Sequence, residues 1–553
     1  MGRGRPHEYP APVSEPWVRF EDEHLLVVAK PAGVNTHRPD TYAQDGMYEW
    51  VQQQRPGTSL SILHRLDKAT SGLLLFGKTP AANQALGRQF EDRRVEKRYE
   101  LLVARNARRP GRTYSDAPIS ISGATGRGGR NVRAQGGPVE REASTDFERQ
   151  AAGAGFERWL AVPHTGRTHQ VRVHAQTLSM PIAGDTEHGG TPGPRLFLHA
   201  AGLAFDHPVT GPIELVEPRP SSFERALDTT PASFASDLAL AARVAHESRA
   251  LLFDPADTDA YLWIDREHDG FPGIRVERLG RTALVRNYDE SGAALPHAWI
   301  DAWREASGAE AVFEQRRPRG GATETAHLVS GTSDAQLTVR ELGLTYLIDL
   351  DASPTSSGLF LDQRETRRRL ATADLSGRTV LNAFAHTGSL SVAAASAGAE
   401  TLTLDLSKRY LDWARDNLRA NDLDPADHDF IFGDALEWMD RLVKKGRTFD
   451  LVLVDPPSTS TSSTRGAKRW VVERDLHALV ERAARLAATG GTVFVSTNLQ
   501  RMKWPRFVEQ VETGLEAAGR RGAIDTQTNP LDHRSGPGDH PYLKAAWIAL
   551  DGR

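Results

Sequence analysis

Apolar and polar positions fall into three rhythms along this chain. From about Phe20 to Phe205, short apolar runs (LLVVAK, GLLLFGK, YELLVAR, RWLAVPH, LFLHAAGLAF) are separated by Gly, Pro and Asn turns, with helical spacing between some of them. Short runs bounded by turn residues predict strands, so this stretch reads as α+β. FERALDTTPASFASDLALAARVAH, Phe223 to about His246, has helical spacing and reads as a connection. AYLWIDRE, GIRVERL, TALVRNY and QLTVRELGLTYLIDL then predict the strands of a small α+β middle domain. After Arg369 the alternation becomes regular: strands TVLNAF, TLTLDLS, DFIFGD, FDLVLVDPP and GTVFVST are divided by helices SLSVAAASAG, RYLDWARDNLRAN, ALEWMDRLVKK and RDLHALVERAARLAA. Strands alternating with helices predict a parallel, doubly wound α/β sheet. Domain boundaries are expected at 1–225, 226–335 and 336–553.

Length agrees with several domains, since 553 residues exceed what one core accommodates. The opening MGRGRPHEYPAPVSEP is polar and proline-rich, and no apolar run reaches membrane-spanning length, so a cytoplasmic protein without membrane contact is expected. The absence of cysteine removes disulfides, thiolate zinc sites and cysteine nucleophiles. The net charge of -4 conceals an asymmetry: residues 1–225 carry 29 Lys/Arg against 25 Asp/Glu, the remainder 39 against 47. Seven arginines lie between Arg105 and Arg133 around GATGRGGRNVR, with Asp116 the one acid. Such a cluster suits phosphate contacts or a flexible solvated loop equally well.

Ligands of an open α/β sheet sit beyond the carboxyl ends of its strands. The first strand ends in NAFAHTGSLS, where Gly388 opens a helix; the second ends in Asp405, the third in Asp434 and the fourth in Asp455-Pro456-Pro457. An acid ending a strand is commonly a helix cap. Three at successive strand ends, after a glycine turn, favour a nucleoside site, with Asp405 placed to accept ribose hydroxyls. No G-x-G-x-x-G occupies the first turn, which argues against a dinucleotide oxidoreductase. The motifs GLFLDQRETRRRL, VLNAFAHTGSLSV, LDLSKRYLDWARDNLRAN, FDLVLVDPPS and VFVSTN cover roughly the final 200 residues. Together they resemble class I S-adenosylmethionine-dependent methyltransferases of the 23S rRNA group that includes the guanine-N7 (RlmK-type) domain. By that resemblance Phe384, Gly388, Asp405 and Asp434 would hold S-adenosylmethionine, and Asp455, Pro456 and Pro457 would border the target base. The resemblance assigns no role to Arg364.

In the first region HRLDKATSG places Asp67 between two cations, after LLVVAKPAGV and before EKRYELLV, HTGRTHQVRVHA and RLFLHAAGLAFDHP. This set, in this order, resembles RluA-type RNA pseudouridine synthases across about residues 20–220, implying a mixed, largely antiparallel sheet. By that likeness Asp67 is the catalytic aspartate, Tyr99 stacks on the target uracil, Arg172 pairs with Asp67, and Arg65 fills the gap left by the flipped nucleotide. The chemistry fits these residue types. Isomerising uridine breaks the bond from ribose to N1, turns the base and rejoins it through C5, with no cofactor or metal. An ionised carboxylate must attack the sugar or remove a proton from it, and a neighbouring arginine favours that ionised form. An aromatic face holds the detached base, which first leaves any helical stack. His64, His169 and His174 are expected to make structural hydrogen bonds rather than a metal site. In GDTEHGG, His188 stands where the family commonly has tyrosine, at a position expected to be peripheral.

The combined expectation is a fused enzyme that pseudouridylates and methylates RNA, with 23S rRNA as the partner and tRNA open for the first half. The alternatives are that one half serves only to bind RNA, that Asp67 is a glycosidase carboxylate, for which no second acid is present in these motifs, or that a small molecule is methylated. Methylating C5 of cytosine usually requires a cysteine thiolate, which the chain lacks. Ser458 and Thr459 follow the double proline where adenine-N6 enzymes carry an aromatic, and Asn498 ends VFVSTN where related cytosine enzymes carry cysteine. Guanine N7, a lone pair without a proton, needs orientation above all; exocyclic guanine methylation is the runner-up.

Overall fold

The computed structural model describes residues 15–39, 46–122, 131–134, 140–291, 293–318, 323–353, 356–460, 470–534 and 543–552. Arg127 and Arg130 of the arginine-rich stretch lie outside these residues.

The first unit is a ten-stranded sheet. Its main path runs Val18–Glu21, Leu25–Lys30, Ser71–Gly77, Leu198–His207, Glu96–Ala104, Phe156–Pro163, Thr145–Ala152 and Arg112–Ser115. Neighbours are antiparallel except Leu198–His207 against Ser71–Gly77, giving the mixed, largely antiparallel sheet. LLVVAK and SGLLLFG are buried along their whole length, which is why they read as continuous apolar runs without alternation. The boundary expected at 225 falls inside the helix Ser222–Asp228. Phe223, Ala226, Leu227, Phe234 and Leu240 pack with Leu102, Phe156 and Phe197, so the connecting helices complete the first core.

The middle sheet comprises Ala260–Asp265, Ile274–Leu279, Thr282–Asn287, Ala311–Arg316 and His327–Gly331. QLTVRELGLTYLIDL is not part of it. That run forms a separate hairpin, Gln336–Glu341 with Leu344–Asp349, turned by Leu342 and Gly343, both at positive φ as a two-residue hairpin loop requires. Its Val339, Tyr346 and Ile348 pack in a cluster that includes Val392 and Leu418 of the last unit. The last sheet has the spatial order Asp429–Phe432, Glu400–Asp405, Thr379–Ala383, Phe449–Val454, Ala487–Thr497, Lys544–Leu550, Gly522–Thr526. The first five strands are parallel and the last two antiparallel. The order reverses beside Thr379–Ala383, where a ligand crevice belongs.

The three units share buried seams. Arg364 donates to Asp532 Oδ1 (2.7 Å), Glu341 Oε2 (3.0 Å) and the carbonyl of Ala260 (2.8 Å), while Asp532 Oδ2 accepts from Leu262 N (2.8 Å). Burial opposes the charge on Asp532, but Arg364 and His533 hold its carboxyl far below the usual carboxylate range. Arg364 thus locks the middle sheet to the last unit. On the first unit, Trp50 Nε1 and Gln54 Nε2 donate to the two oxygens of Glu365 (2.9 and 3.0 Å), and Leu531 joins the cluster of Trp17, Val34, Trp50 and Leu66.

Candidate functional site

Two cavities gather the residues singled out by sequence. The larger, about 790 Å³, is in the first unit and is lined by Arg65, Asp67, Tyr99 and Arg172 together. Asp67 sits in a turn closed by Thr70 N donating to its carbonyl (3.0 Å), between the edge strand Ser61–Ile62 and the buried strand Ser71–Gly77. Tyr99 is on the central strand Glu96–Ala104, two residues from Lys97 and therefore on the same face. Both line the cavity. Burial, with the Asp67 charge, raises the Tyr99 phenol, so it stays protonated. Arg65 is exposed at the cavity wall.

Arg172 is held differently from expectation. It is on the helix Gln170–Thr177, and its Nε and Nη2 donate bidentately to Asp185 (2.8 and 2.7 Å), with Nη2 also reaching Glu187 (2.9 Å). Its Nη1 stands 3.6 Å from Asp67 Oδ2, so Asp67 is the longer contact of a guanidinium fixed by Asp185. Burial works against the Arg172 charge, yet Asp185, Asp67 and Glu187 together raise its pKa above the ordinary value. An arginine so fixed presents a constant positive charge to Asp67. GDTEHGG is accordingly not peripheral: Asp185 and Glu187 orient Arg172, and His188 Nε2 lies 3.2 Å from His169 Nδ1, whose ring approaches Asp67 Oδ2 at 3.9 Å.

His64 accepts from Leu75 N (3.1 Å) and stacks on Phe90; burial, with Lys97 nearby, lowers its pKa to about 3, so it is neutral. His174 contacts Thr145 Oγ1 (2.8 Å) and the Ala117 carbonyl (2.9 Å). His169, Glu187 and His188 have ligand-type atoms within 4.8 Å of one another, but a cation there would compete with Arg172 for Glu187. The cavity wall carries six Lys/Arg (Arg65, Lys68, Arg93, Lys97, Arg167, Arg172) against Asp67 and Glu91. Arg93, Lys97 and Arg167 were missed by motif reading; their signal was the cationic excess of the first region.

The second cavity, about 280 Å³, lies at the carboxyl ends of the last sheet and is lined by Phe384, Asp405, Asp434, Asp455, Pro456 and Pro457. Gly388 is not among the lining residues. It opens the helix Ser389–Ser396 at φ 75°, where an added Cβ would meet Ala414 Cβ at 2.5 Å, so its role is close packing. The turn before it is strained, with Phe384 at φ 61° and His386 at φ 52°. That turn aims His386 N at Asp405 Oδ2 (2.8 Å), while Ser407 N donates to Oδ1 (2.8 Å). Burial raises the Asp405 carboxyl, partly offset by these N–H groups. Asp434 caps the helix Ala435–Lys444 through Glu437 N (3.1 Å). Asp455 accepts from Ser496 Oγ (2.7 Å), and burial pushes its pKa up to about 6.

Sequence reading also missed Phe360, Asp362, His386 and Tyr410 on this wall. The His386 ring packs between Phe360 (4.9 Å) and Tyr410 (4.3 Å), and burial lowers its pKa to about 4. Its Nε2 is buried without a hydrogen-bond partner among the described residues. An orphaned polar atom beside carboxylates and aromatic faces fits a small ligand carrying both hydroxyls and a heterocycle.

Residues 24–177 match the model of RNA pseudouridylate synthase, and residues 290–530 that of S-adenosylmethionine-dependent methyltransferase. A ribosomal RNA large subunit methyltransferase of Deinococcus radiodurans is 32% identical over 322 residues, which is 55% of this chain and 76% of that protein. The chain belongs to that methyltransferase family. Ribosomal RNA large subunit methyltransferase K/L of Aeromonas hydrophila is 38% identical over 38% of this chain, but the match spans 28% of that longer protein. The structure of SMU.776 complexed with SAH aligns with a TM-score of 0.52 at 24% identity, over 64% of this chain and 88% of its own, and shares the methyltransferase fold. The chain is thus an enzyme with a pseudouridine synthase domain and an S-adenosylmethionine-dependent methyltransferase domain. No helix among the described residues is long and apolar enough to cross a membrane.

Proposed function

We propose that the protein modifies 23S rRNA twice, isomerising a uridine to pseudouridine in its first domain and methylating guanine N7 in its last. The observation that carries this reading is the convergence of Asp67, Tyr99, Arg172 and Arg65 on one cation-lined cavity. RNA bears a phosphate charge at every nucleotide, so a cationic wall supplies affinity without sequence preference. Within it, the Asp67 carboxylate acts at the ribose as nucleophile or base while Arg172 stabilises its negative charge. Tyr99 holds the detached uracil while N1 gives way to C5, and Arg65 stands in for the displaced nucleotide. This half uses neither cofactor nor metal, and tRNA is the second substrate class for it.

In the methyltransferase domain, Asp405 accepts ribose hydroxyls, Asp434 an adenine amino hydrogen, and Phe384, Phe360 and Tyr410 supply aromatic contact. Asp455, Pro456 and Pro457 frame the target base. S-adenosylmethionine, when bound, supplies an electrophilic methyl group. The chain has no cysteine to add to a cytosine ring, so the acceptor is a group nucleophilic in its own right, for which guanine N7 qualifies. What the residues must do is align that lone pair. Incubating purified protein with labelled S-adenosylmethionine and unmodified 23S rRNA, followed by mass-spectrometric nucleoside mapping, tests both halves. Pseudouridine and N7-methylguanosine are expected; N2-methylguanosine would move the second assignment to the exocyclic amine, and 5-methylcytidine would overturn it.

A further inference from the structure

The segment from Gln527 to Arg534 follows the strand Gly522–Thr526 of the methyltransferase domain, yet three of its side chains serve the other half of the chain. Thr528 Oγ1 donates to Gln53 Oε1 (2.8 Å) on the helix Met47–Gln54 of the synthase domain. Leu531 is buried in the cluster of Val34, Trp50 and Leu66. Arg534 lies against Gly33, where an added Cβ would stand 3.8 Å from its Nη1, and its Nη2 donates to the carbonyl of Ser248 (3.3 Å).

Two of those contacts, at Leu66 and Gly33, reach the layer next to Asp67. Leu66 is tied through both its N–H and its carbonyl to Thr36 Oγ1 (3.0 and 2.8 Å), and its side chain shares the cluster with Leu531. On the other side of Asp67, the carbonyl of Lys68 accepts from Gly33 N (2.8 Å) and from the buried Lys30 Nζ (3.2 Å). Lys30 also donates to the carbonyls of Val34 (2.7 Å) and Pro31 (3.0 Å), gathering the whole 30–34 turn onto one ammonium. Both residues flanking Asp67 are therefore held by the 30–36 turn, and the methyltransferase segment meets this layer twice: Leu531 in the cluster of Leu66, and Arg534 against Gly33, whose N–H holds the Lys68 carbonyl. Burial, with the charge of Arg534, holds Lys30 well below its ordinary pKa.

We propose that the 527–534 segment of the methyltransferase domain is a positioning element for the synthase site, with Arg534 fixing the loop that carries Asp67. The inference rests on the reading of that site as a pseudouridine synthase. It makes the synthase half incomplete alone: the carboxylate that touches RNA is aimed by a residue more than 450 positions later in the chain.

The test uses the full chain with an RNA that it pseudouridylates, and Asp67→Asn as reference. Arg534→Met keeps much of the side chain's length and removes its charge, while Arg534→Lys restores a cation. Because small displacements of a reacting group are costly, Arg534→Met is expected to lower kcat for pseudouridine formation roughly 10- to 100-fold with KM for RNA within about twofold of wild type. Arg534→Lys should recover most of that loss, with Tm and calorimetric affinity for S-adenosylmethionine unchanged in both. Should Arg534→Met melt early, Thr528→Val, which loosens the same docking away from Gly33, is expected to give a smaller fall in kcat at unchanged KM. Wild-type kcat in Arg534→Met overturns the proposal, and so does an equal fall in methyl transfer in the variants, which would make the contact purely structural. Pseudouridine formation by Asp67→Asn would instead sink the reading of the synthase site itself.

Discussion

The two cavities differ as their reactants differ. The synthase cavity is about 790 Å³ and walled by six cations, whereas the methyltransferase cavity is about 280 Å³ and its wall includes four aspartates with no Lys or Arg among the described residues. A wide cationic bowl suits a polyanion from which one nucleotide is drawn, and within it the Asp67 carboxylate faces Arg172 at 3.6 Å. A narrow pocket of carboxylates and aromatic rings suits a small cationic cofactor with hydroxyls to be accepted. Within one chain, the two cavities thus carry walls of opposite charge.

Asp67→Asn is nearly isosteric but unable to ionise, and so strikes the first cavity alone. Loss of pseudouridine formation by on the order of 1,000-fold or more is expected, with methyl transfer unchanged, as read by nucleoside analysis of the same RNA. The converse experiment attacks what the cavities share. Arg364→Met leaves Asp532 to Leu262 N and His533, and Glu341 to Arg367 alone, so unfolding free energy should fall by about 3 kcal/mol and both activities should fail together in denaturant titrations. A failure of only one activity would show that the seam is not common to both.

Smaller effects sharpen the cofactor side. Asp405→Ala should weaken S-adenosylmethionine binding by roughly 1.5–3 kcal/mol, the cost of losing hydrogen bonds to a charged group, without changing pseudouridine formation. Calorimetry that finds unchanged affinity refutes that role. Asp455 gives a pH-dependent test. Its folded pKa of about 6 exceeds the ordinary 3.8 of an aspartate, so the folded chain keeps this proton where the unfolded chain has lost it. The resulting cost to stability is absent below about pH 4, grows to about pH 6 and is complete above it. Asp455→Asn should therefore raise stability at neutral pH by on the order of 2 kcal/mol and leave it unchanged near pH 4. A gain that persists in acid would contradict the buried-charge explanation.

Much of this was legible before the fold. Strand ends carrying Asp405, Asp434 and Asp455 could be read from alternating apolar runs because the parallel sheet repeats a local pattern, and the sheet does bring all three to one cavity. That Asp67, Tyr99 and Arg172 belong together was legible through ordered motifs, and one cavity gathers them. What escaped was pairing at long range. Asp185 holds Arg172 from another loop, so the bidentate partner was invisible in HQVR, and His188 looked peripheral because nothing local points it at His169. Gly388, expected to hold the cofactor, lies outside the cavity lining and lets Ala414 approach, a demand set by a helix beginning 20 residues later. Arg364 had no readable role because its three partners, Ala260, Glu341 and Asp532, are scattered across the chain.

The burial of Leu531 beside Trp17, Trp50 and Leu66 has a consequence for how the molecule is made. Synthesis proceeds from the amino end at about 5–20 residues per second, so the roughly 280 residues between Leu252, the preceding member of that cluster, and the leucine that closes it take roughly a quarter of a minute to a minute. Through that interval the nascent first domain shows the ribosome's surroundings an unfinished apolar face. It gains its last core residue only when translation has passed almost the whole methyltransferase domain.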